Sequence, residues 1–254
     1  MFPDIFKVAG RVALVTGGSK GLGKAMARGL AEAGADIVIS SRHEEELRPA
    51  LDEILHGTGR RGIYIVADMA RRADVRRLAQ TALEKMGRVD ILVNNAGTNT
   101  PQPVDQIKDE DWDRVMEINL HSIMVLTRAL VPQMKERRWG RIIHISSVMA
   151  LVANAGRNTY CATKAALIAM ARASALDLGG HGVTVNCIAP GPFLTDLPGK
   201  LLSAQEKESF AKMTALNRWA DPKELIGPVL LLASDAGSYI TGETVVVDGG
   251  YVAR

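Results

Sequence analysis

Short runs of valine, isoleucine and leucine, flanked by turn residues, alternate along this chain with longer segments of helical periodicity, and this rhythm limits the fold more than any other feature. Seven runs are long enough for strands: Val12 to Thr16, Ile37 to Ser41, Ile63 to Val66, Ile91 to Asn94, Arg141 to Ser146, Thr184 to Ile188 and Thr244 to Val247. Helices are predicted between them, from about Leu22 to Ala33, Glu44 to Leu55, Ala73 to Met86, Asp109 to Arg137, Thr159 to Leu178 and Pro222 to Leu232. The alternation calls for βα units around a parallel sheet, and the near-continuous apolar strands fit a sheet covered on both faces. Helix ends carry their own signals. Gly34 suits the left-handed position after the first helix, and Asp221-Pro-Lys-Glu224 sets a capping acid, an N1 proline and an N3 glutamate in order. Ser203-Ala-Gln-Glu206 is a capping-box pattern that opens a short helix within residues 192–219, a segment predicted to cover a substrate site at the carboxyl end of the sheet.

With 254 residues, 47% of them hydrophobic and 23% charged, the chain can bury one sizeable core, and no linker-like stretch divides it, so one domain spanning 1–254 is expected. The formal charge of +3 is small. Its basic clusters, Arg71-Arg72, Arg76-Arg77 and Lys135-Glu-Arg-Arg138, sit among acids on predicted helices and read as solvated faces, so no nucleic-acid partner is expected. The N-terminus lacks a basic segment followed by an apolar core, and no apolar run reaches the roughly 18 residues that span a bilayer. A cytoplasmic protein without a membrane partner is the expectation. Two cysteines, Cys161 and Cys187, make neither a metal site nor a disulfide framework, and the five histidines include no zinc-binding pair. His43-Glu44 begins like a metalloprotease motif, but Leu47 stands where the second histidine belongs, so no metal is expected.

The first strand runs into Thr16-Gly-Gly-Ser-Lys-Gly-Leu-Gly23 and then into a helix. Glycines there let backbone N–H groups approach an anion, and the helix N-terminus adds partial positive charge, which makes a phosphate cradle. The same residues open like a nucleotide triphosphatase loop, but Ala25 occupies the place of the magnesium-binding serine or threonine. At the end of the second strand, Ser41-Arg42 stands where an acid would hold the ribose 2′-hydroxyl of NAD. Serine can donate a hydrogen bond and arginine can pair with a 2′-phosphate, so NADP is expected over NAD, with Lys20 as a second positive charge for that phosphate. Further along, Tyr160 and Lys164 lie one helical turn apart, which places an ammonium beside a phenol and predicts a lowered phenol pKa.

Taken in order, the glycine loop, Asn94-Asn-Ala-Gly97, Asn119, Ser147, Tyr160-x-x-x-Lys164, Pro190-Gly191 and the terminal Gly242-Glu-Thr-Val-Val-Val-Asp-Gly-Gly250 resemble the short-chain dehydrogenase/reductase family over essentially the whole chain. The resemblance implies a single doubly wound Rossmann domain with a seven-stranded parallel sheet, usually as a homotetramer, that moves a hydride between a nicotinamide and an alcohol or ketone. It implies a tetrad of Asn119, Ser147, Tyr160 and Lys164. Tyr160 would be the general acid/base, Ser147 rather than Ser146 would bind the substrate oxygen, and Lys164 would lower the phenol's pKa and contact the nicotinamide ribose. Asn119 would distort its helix locally and hold a water linked to Lys164. The cofactor residues implied are Gly17, Ser19, Lys20, Gly21, Leu22, Gly23, Ser41, Arg42, Asp68, Met69, Asn95, Ala96, Gly97, Tyr160, Lys164, Pro190, Gly191, Phe193 and Thr195. Among these, Asp68 would contact adenine, Asn95 and Gly97 would flank the adenosine ribose, and Thr195 would reach the carboxamide.

Substrate lining is expected from Thr98 to Thr100, from Met149 to Arg157 and from Phe193 to Trp219, including Asn154, Arg157 and Asn217 beside Ser147 and Tyr160. Arg157 is available to a carboxylate. The Gly-Leu-Gly loop, the Ser-Ser-Arg strand end and Pro190-Gly-Pro-Phe-Leu-Thr195 resemble the gluconate 5-dehydrogenase branch, which implies a polyol or sugar acid such as gluconate or 5-keto-gluconate. A 3-oxoacyl-carrier-protein reductase is the alternative. A dinucleotide-binding regulator without catalysis is a third reading, since fold alone does not establish activity.

Overall fold

The strands alternate cleanly between two apolar layers, which decides where every helix packs. In β1 (Val12–Thr16), Ala13 and Val15 join one buried cluster with Ile37, Ile39, Ile91 and Val93, while Val12 and Leu14 join the other with Val38 and Leu92. Successive strand residues point to opposite faces, so an inner strand supplies both layers at once. The computed structural model describes residues 4–195 and 203–253. Its remaining strands are β2 (Asp36–Ser41), β3 (Gly62–Val66), β4 (Ile91–Asn94), β5 (Gly140–Ile145), β6 (Val183–Pro190) and β7 (Thr244–Val247). They pair in parallel in the order β3-β2-β1-β4-β5-β6-β7.

Helices α1 (Gly21–Glu32) and α2 (Glu44–Leu55) cover one face with a late helix, α8 (Ile226–Ala233), through Met26, Leu30, Leu47, Ile54, Val229 and Leu232. The other face takes α3 (Arg72–Met86), α5 (Ser122–Arg137) and α6 (Asn158–Leu178), through Leu78, Leu126, Leu130 and Leu167. The chain winds outward from β1 to β3, then returns to β4 and winds the other way. The crevice between the carboxyl ends of β1 and β4 is therefore the topological switch point, where open sheets of this kind bind ligands.

Six of the predicted helices are present, but two are interrupted. The span Asp109 to Arg137 divides into α4 (Asp109–Met116), a π-helical turn (Glu117–His121) and α5. Ser122 causes part of this: its N–H bonds back to the Glu117 carbonyl, and its hydroxyl takes the Ile118 carbonyl at 2.7 Å, which widens the turn. The span Pro222 to Leu232 begins as a 3₁₀ turn (Pro222–Leu225) before α8, because Pro228 has no N–H to return to Glu224. Both predicted capping boxes form, at Ser203 before α7 (Ala204–Lys212) and at Asp221, and Gly34 takes φ +103 after α1. The predicted cover at 192–219 falls partly outside the described residues, at 196–202. Among the described residues no helix is long and apolar enough to cross a membrane.

Candidate active site

Two cavities meet at the switch point and share Leu22, Asn95, Gly97, Thr98 and Thr195. One is a groove of about 430 Å³ along the carboxyl ends of β1 to β4, the other a pocket of about 350 Å³ in front of β5, β6 and α6.

The groove is made largely of backbone. The turn between β1 and α1 is held from behind: Thr16 Oγ1 accepts the N–H groups of Asn95 and Ala96, both at 3.0 Å, and Asn95 Nδ2 donates to the Thr16 carbonyl at 2.8 Å. Gly23 must be glycine, since a Cβ there would stand 2.2 Å from the Gly17 carbonyl oxygen. No side chain caps the first turn of α1, and its residues Gly21, Leu22 and Gly23 line the groove. Gly17, Ser19, Lys20, Gly21, Leu22 and Gly23 all line it, as do Ser41, Arg42, Asp68, Met69, Asn95, Ala96 and Gly97. Arg42 is exposed and, among the described residues, has no paired acid.

Four of these side chains already have partners within the fold. Lys20 is not a free second charge, because its Nζ lies 2.9 Å from Glu46 Oε1 on the first turn of α2. Ser19 Oγ donates to the same carboxylate at 3.1 Å. Asn95 spends its amide on the Thr16 and Gly17 carbonyls, so it shapes the turn. Asp68 Oδ1 accepts the Ala70 N–H at 3.0 Å, closing a turn at the groove wall.

The second pocket is made of side chains. Ser147, Met149, Asn154, Arg157, Tyr160 and Lys164 line it together, joined by Pro190, Gly191, Phe193 and Thr195. The two adjacent serines separate by partner. Ser146 Oγ is committed to the Lys164 carbonyl at 2.8 Å, stitching β5 to α6. Ser147 Oγ accepts the Met149 N–H at 3.1 Å, so its own proton remains to be donated into the pocket. Asn119, fully buried in the π turn, lines neither cavity. Its side chain pairs with both the N–H and the carbonyl of Thr98, at 2.8 and 2.9 Å, and donates to Thr163 Oγ1 at 3.2 Å, tying the wall between the cavities to α6. Gly97 sits against it, where a Cβ would lie 3.4 Å from Asn119 Oδ1 and 3.5 Å from Lys164 Nζ.

Lys164 departs from the direct pairing that its spacing suggests. Its Nζ donates to the Ile145 carbonyl at 2.7 Å and stands 5.6 Å from the centroid of the Tyr160 ring. Burial brings its pKa down to about 8. The Tyr160 phenol is raised above its ordinary value by burial, and what opposes that rise is a hydrogen bond with Ser147 and the positive charge of Arg157. His144, wholly buried beside this cluster, is pushed down to about 4 by burial and by Lys164.

Tyr251 and Phe210 were not singled out by the sequence as site residues, although Phe210 lies within the predicted cover. Asp248 accepts the N–H groups of Gly250 and Val252, both at 2.8 Å, in a turn that delivers Tyr251 to the pocket. Phe210 meets Trp219 edge to face at 5.9 Å, and Trp219 Nε1 donates to the Lys207 carbonyl at 2.8 Å. Asn217 sits in an exposed left-handed turn at φ 53 and does not line the pocket. Cys161 is free, and among the described residues no group of His, Cys, Asp and Glu could hold a metal ion.

Residues 17–252 match the family model described as enoyl-(acyl carrier protein) reductase. The chain is 38% identical over 241 residues to a 3-oxoacyl-[acyl-carrier-protein] reductase of Vibrio cholerae, covering 95% of this chain and 97% of that one. It is 34% identical over 249 residues to gluconate 5-dehydrogenase of Gluconobacter oxydans, covering 98% and 97%. The chain belongs to the short-chain dehydrogenase/reductase family. Among solved structures of the family, a gluconate 5-dehydrogenase from Burkholderia cenocepacia, in complex with NADP and tartrate, superposes with a TM-score of 0.93 at 36% identity, covering 99% and 98%. The doubly wound Rossmann fold implied by the motifs is thus established, and the chain is an oxidoreductase of this family. A phosphorylated dinucleotide fits its groove, since the uncapped α1 N-terminus, the close approach at Gly23 and the unpaired Arg42 supply what such a group needs.

Proposed function

We propose that this dehydrogenase/reductase interconverts a secondary alcohol and a ketone on a hydroxy or keto acid of the sugar-acid class, with NADP as cofactor. When bound, NADP supplies or accepts the hydride. The observation that carries the substrate class is the placing of Arg157 in the same pocket as Ser147 and Tyr160, close enough for its charge to act on the phenol. An arginine at that distance can hold a carboxylate while the two hydroxyls hold the reacting oxygen. Asn154 adds a polar group on the same side, and Phe210, Trp219 and Tyr251 supply apolar walls. The relative whose structure holds tartrate, a hydroxy acid, supports the same class.

Ser147 Oγ and Tyr160 Oη are assigned to the substrate oxygen, where both donate hydrogen bonds as negative charge develops in reduction. The Tyr160 proton then passes to that oxygen. Because burial raises the phenol, the proton is in place at neutral pH, which favours reduction there; oxidation needs the phenolate and gains as pH rises. Lys164 is assigned a supporting part through its position at the base of α6, and Asn119 is assigned the part of holding the Thr98 wall.

The second reading, reduction of a 3-oxoacyl thioester, is favoured by the Vibrio cholerae relative and by exposed Leu194, Met213 and Leu216 beside the pocket segment. NADPH consumption against keto-gluconates, acetoacetyl thioesters and simple diketones decides between them. Turnover of keto-gluconates, with KM raised about tenfold or more in Arg157→Ala, is expected. Preference for the thioester, with no effect of Arg157→Ala, would replace the first reading by the second. A homotetramer, with the helices over 109–137 and 159–178 as its dimer-forming pair, is proposed from the family, and light scattering tests it.

A further inference from the structure

The adenosine end of the groove contains an acid that the cofactor reading does not use. Glu46 reaches from the first turn of α2 across to the β1–α1 turn, with one carboxylate oxygen 2.9 Å from Lys20 Nζ and the other 3.1 Å from Ser19 Oγ. Ser19, Lys20 and Arg42 all line the groove, and Arg42 lies at the end of β2, four residues before Glu46. Lys20 and Arg42 are thus the two cations that line the groove, and Glu46 already satisfies one of them. A 2′-phosphate brings roughly one and a half to two negative charges, and it calls on every cation within reach.

We propose that Glu46 sets cofactor specificity by competing with the 2′-phosphate for Lys20. With NAD the Glu46–Lys20 pair and the Ser19 hydrogen bond remain as they are. With NADP, Lys20 must be shared or released and a carboxylate is left beside a phosphate, so Arg42 alone gives an undivided attraction. The preference for NADP over NAD is thereby smaller than Arg42 and Lys20 together would set, and NAD stays usable. The carboxyl of Glu46 is held below its usual range, chiefly by the hydrogen bond from Lys20, so it is ionised throughout the neutral range. Both partners are partly exposed, with side-chain accessibilities of 57% for Lys20 and 35% for Glu46, which bounds the effect at a modest factor.

This inference rests on NADP as the cofactor, and the test separates the two. Adenosine 2′,5′-bisphosphate and adenosine 5′-monophosphate differ only in the 2′-phosphate, and isothermal titration of each into wild type and Glu46→Gln reads that phosphate without turnover. The substitution is expected to tighten the bisphosphate about fivefold and the monophosphate less than twofold. In a Lys20→Gln background the gain should shrink, because no ammonium remains to be released and only the repulsion between carboxylate and phosphate is relieved. NADP and NAD titrated the same way should follow the two probes. A bisphosphate that binds Glu46→Gln equally or more weakly would overturn the competition and make Glu46 a support for Lys20. So would an equal tightening of both probes. Wild type binding the bisphosphate no better than the monophosphate would overturn the NADP reading, and this inference with it. Matching thermal melts of wild type and Glu46→Gln establish that the variant is folded.

Discussion

The groove and the pocket share a wall but are built from different material. The groove is a surface of backbone: a turn braced by Thr16 and Asn95, an uncapped helix start, and a glycine whose hydrogen faces a carbonyl oxygen. The pocket is a convergence of side chains from β5, α6, the segment after β6, α7 and the C-terminal turn. A backbone surface recognises what all dinucleotides share, whereas a pocket assembled from distant segments can change its substrate without disturbing the sheet. Two relatives differ in this way in their names, since a 3-oxoacyl-[acyl-carrier-protein] reductase and a gluconate 5-dehydrogenase match this chain at 38% and 34% identity.

The largest expected effect breaks the pocket and spares the groove. Tyr160→Phe keeps the ring but removes the proton, so kcat/KM should fall about a thousandfold or more, roughly 4 kcal/mol in the barrier, while NADP binding stays within twofold. Steady-state rates and a fluorescence titration of NADPH check both halves, and activity within tenfold of wild type would sink the assignment. Gly23→Ala is the reverse case. A Cβ placed 2.2 Å from the Gly17 oxygen cannot be absorbed by a flexible side chain, so the turn itself must move. The cost expected is about 3 kcal/mol, or roughly 6 to 12 °C in Tm, with loss of NADPH binding. Unchanged melting and binding would show that the cradle is not fixed by backbone contact.

How much of each region could be read from the sequence follows from the same contrast. The phosphate turn was legible because its recognition lies in local order: strand, glycines, helix. Ser147, Tyr160 and Arg157 were legible because they flank one strand–helix connection. What sequence spacing cannot supply is the partner from elsewhere in the fold. Lys20 looked like a free charge because Glu46, its partner, sits in the next helix. Lys164 stands near the phenol ring as its spacing suggests, but its ammonium donates to the carbonyl at the end of β5, which the spacing does not show. Asn95 looked like a ligand contact, and its amide turned out to satisfy the carbonyls of the turn behind it. Tyr251 escaped notice because it lies just past the terminal Gly242–Gly250 motif, and the Asp248 turn that delivers it to the pocket is seen only in the fold.

The smallest expected effect sharpens the comparison through pH. Among the described residues the pocket side of the sheet holds buried titratable groups, Lys164 and His144, and the groove wall holds no group shifted as far as either. His144 Nδ1 lies 3.0 Å from Asn94 Nδ2, while its Nε2 is buried without a partner, so the folded chain has no place for an imidazolium. Its pKa falls from 6.5 in the unfolded chain to about 4 in the folded one. Between those values the unfolded state binds the extra proton, so stability is complete above pH 6.5 and declines as pH falls toward 4. The slope from one such proton is at most about 1.4 kcal/mol per pH unit, and relaxation of the folded state makes it less. His144→Asn keeps an amide in reach of Asn94 and removes the titration. Urea unfolding from pH 7 to 4.5 should then show a shallower loss of stability in the variant than in wild type. Equal slopes would mean that His144 takes up its proton without penalty, and that the floor of the pocket is as indifferent to acid as the backbone groove beside it.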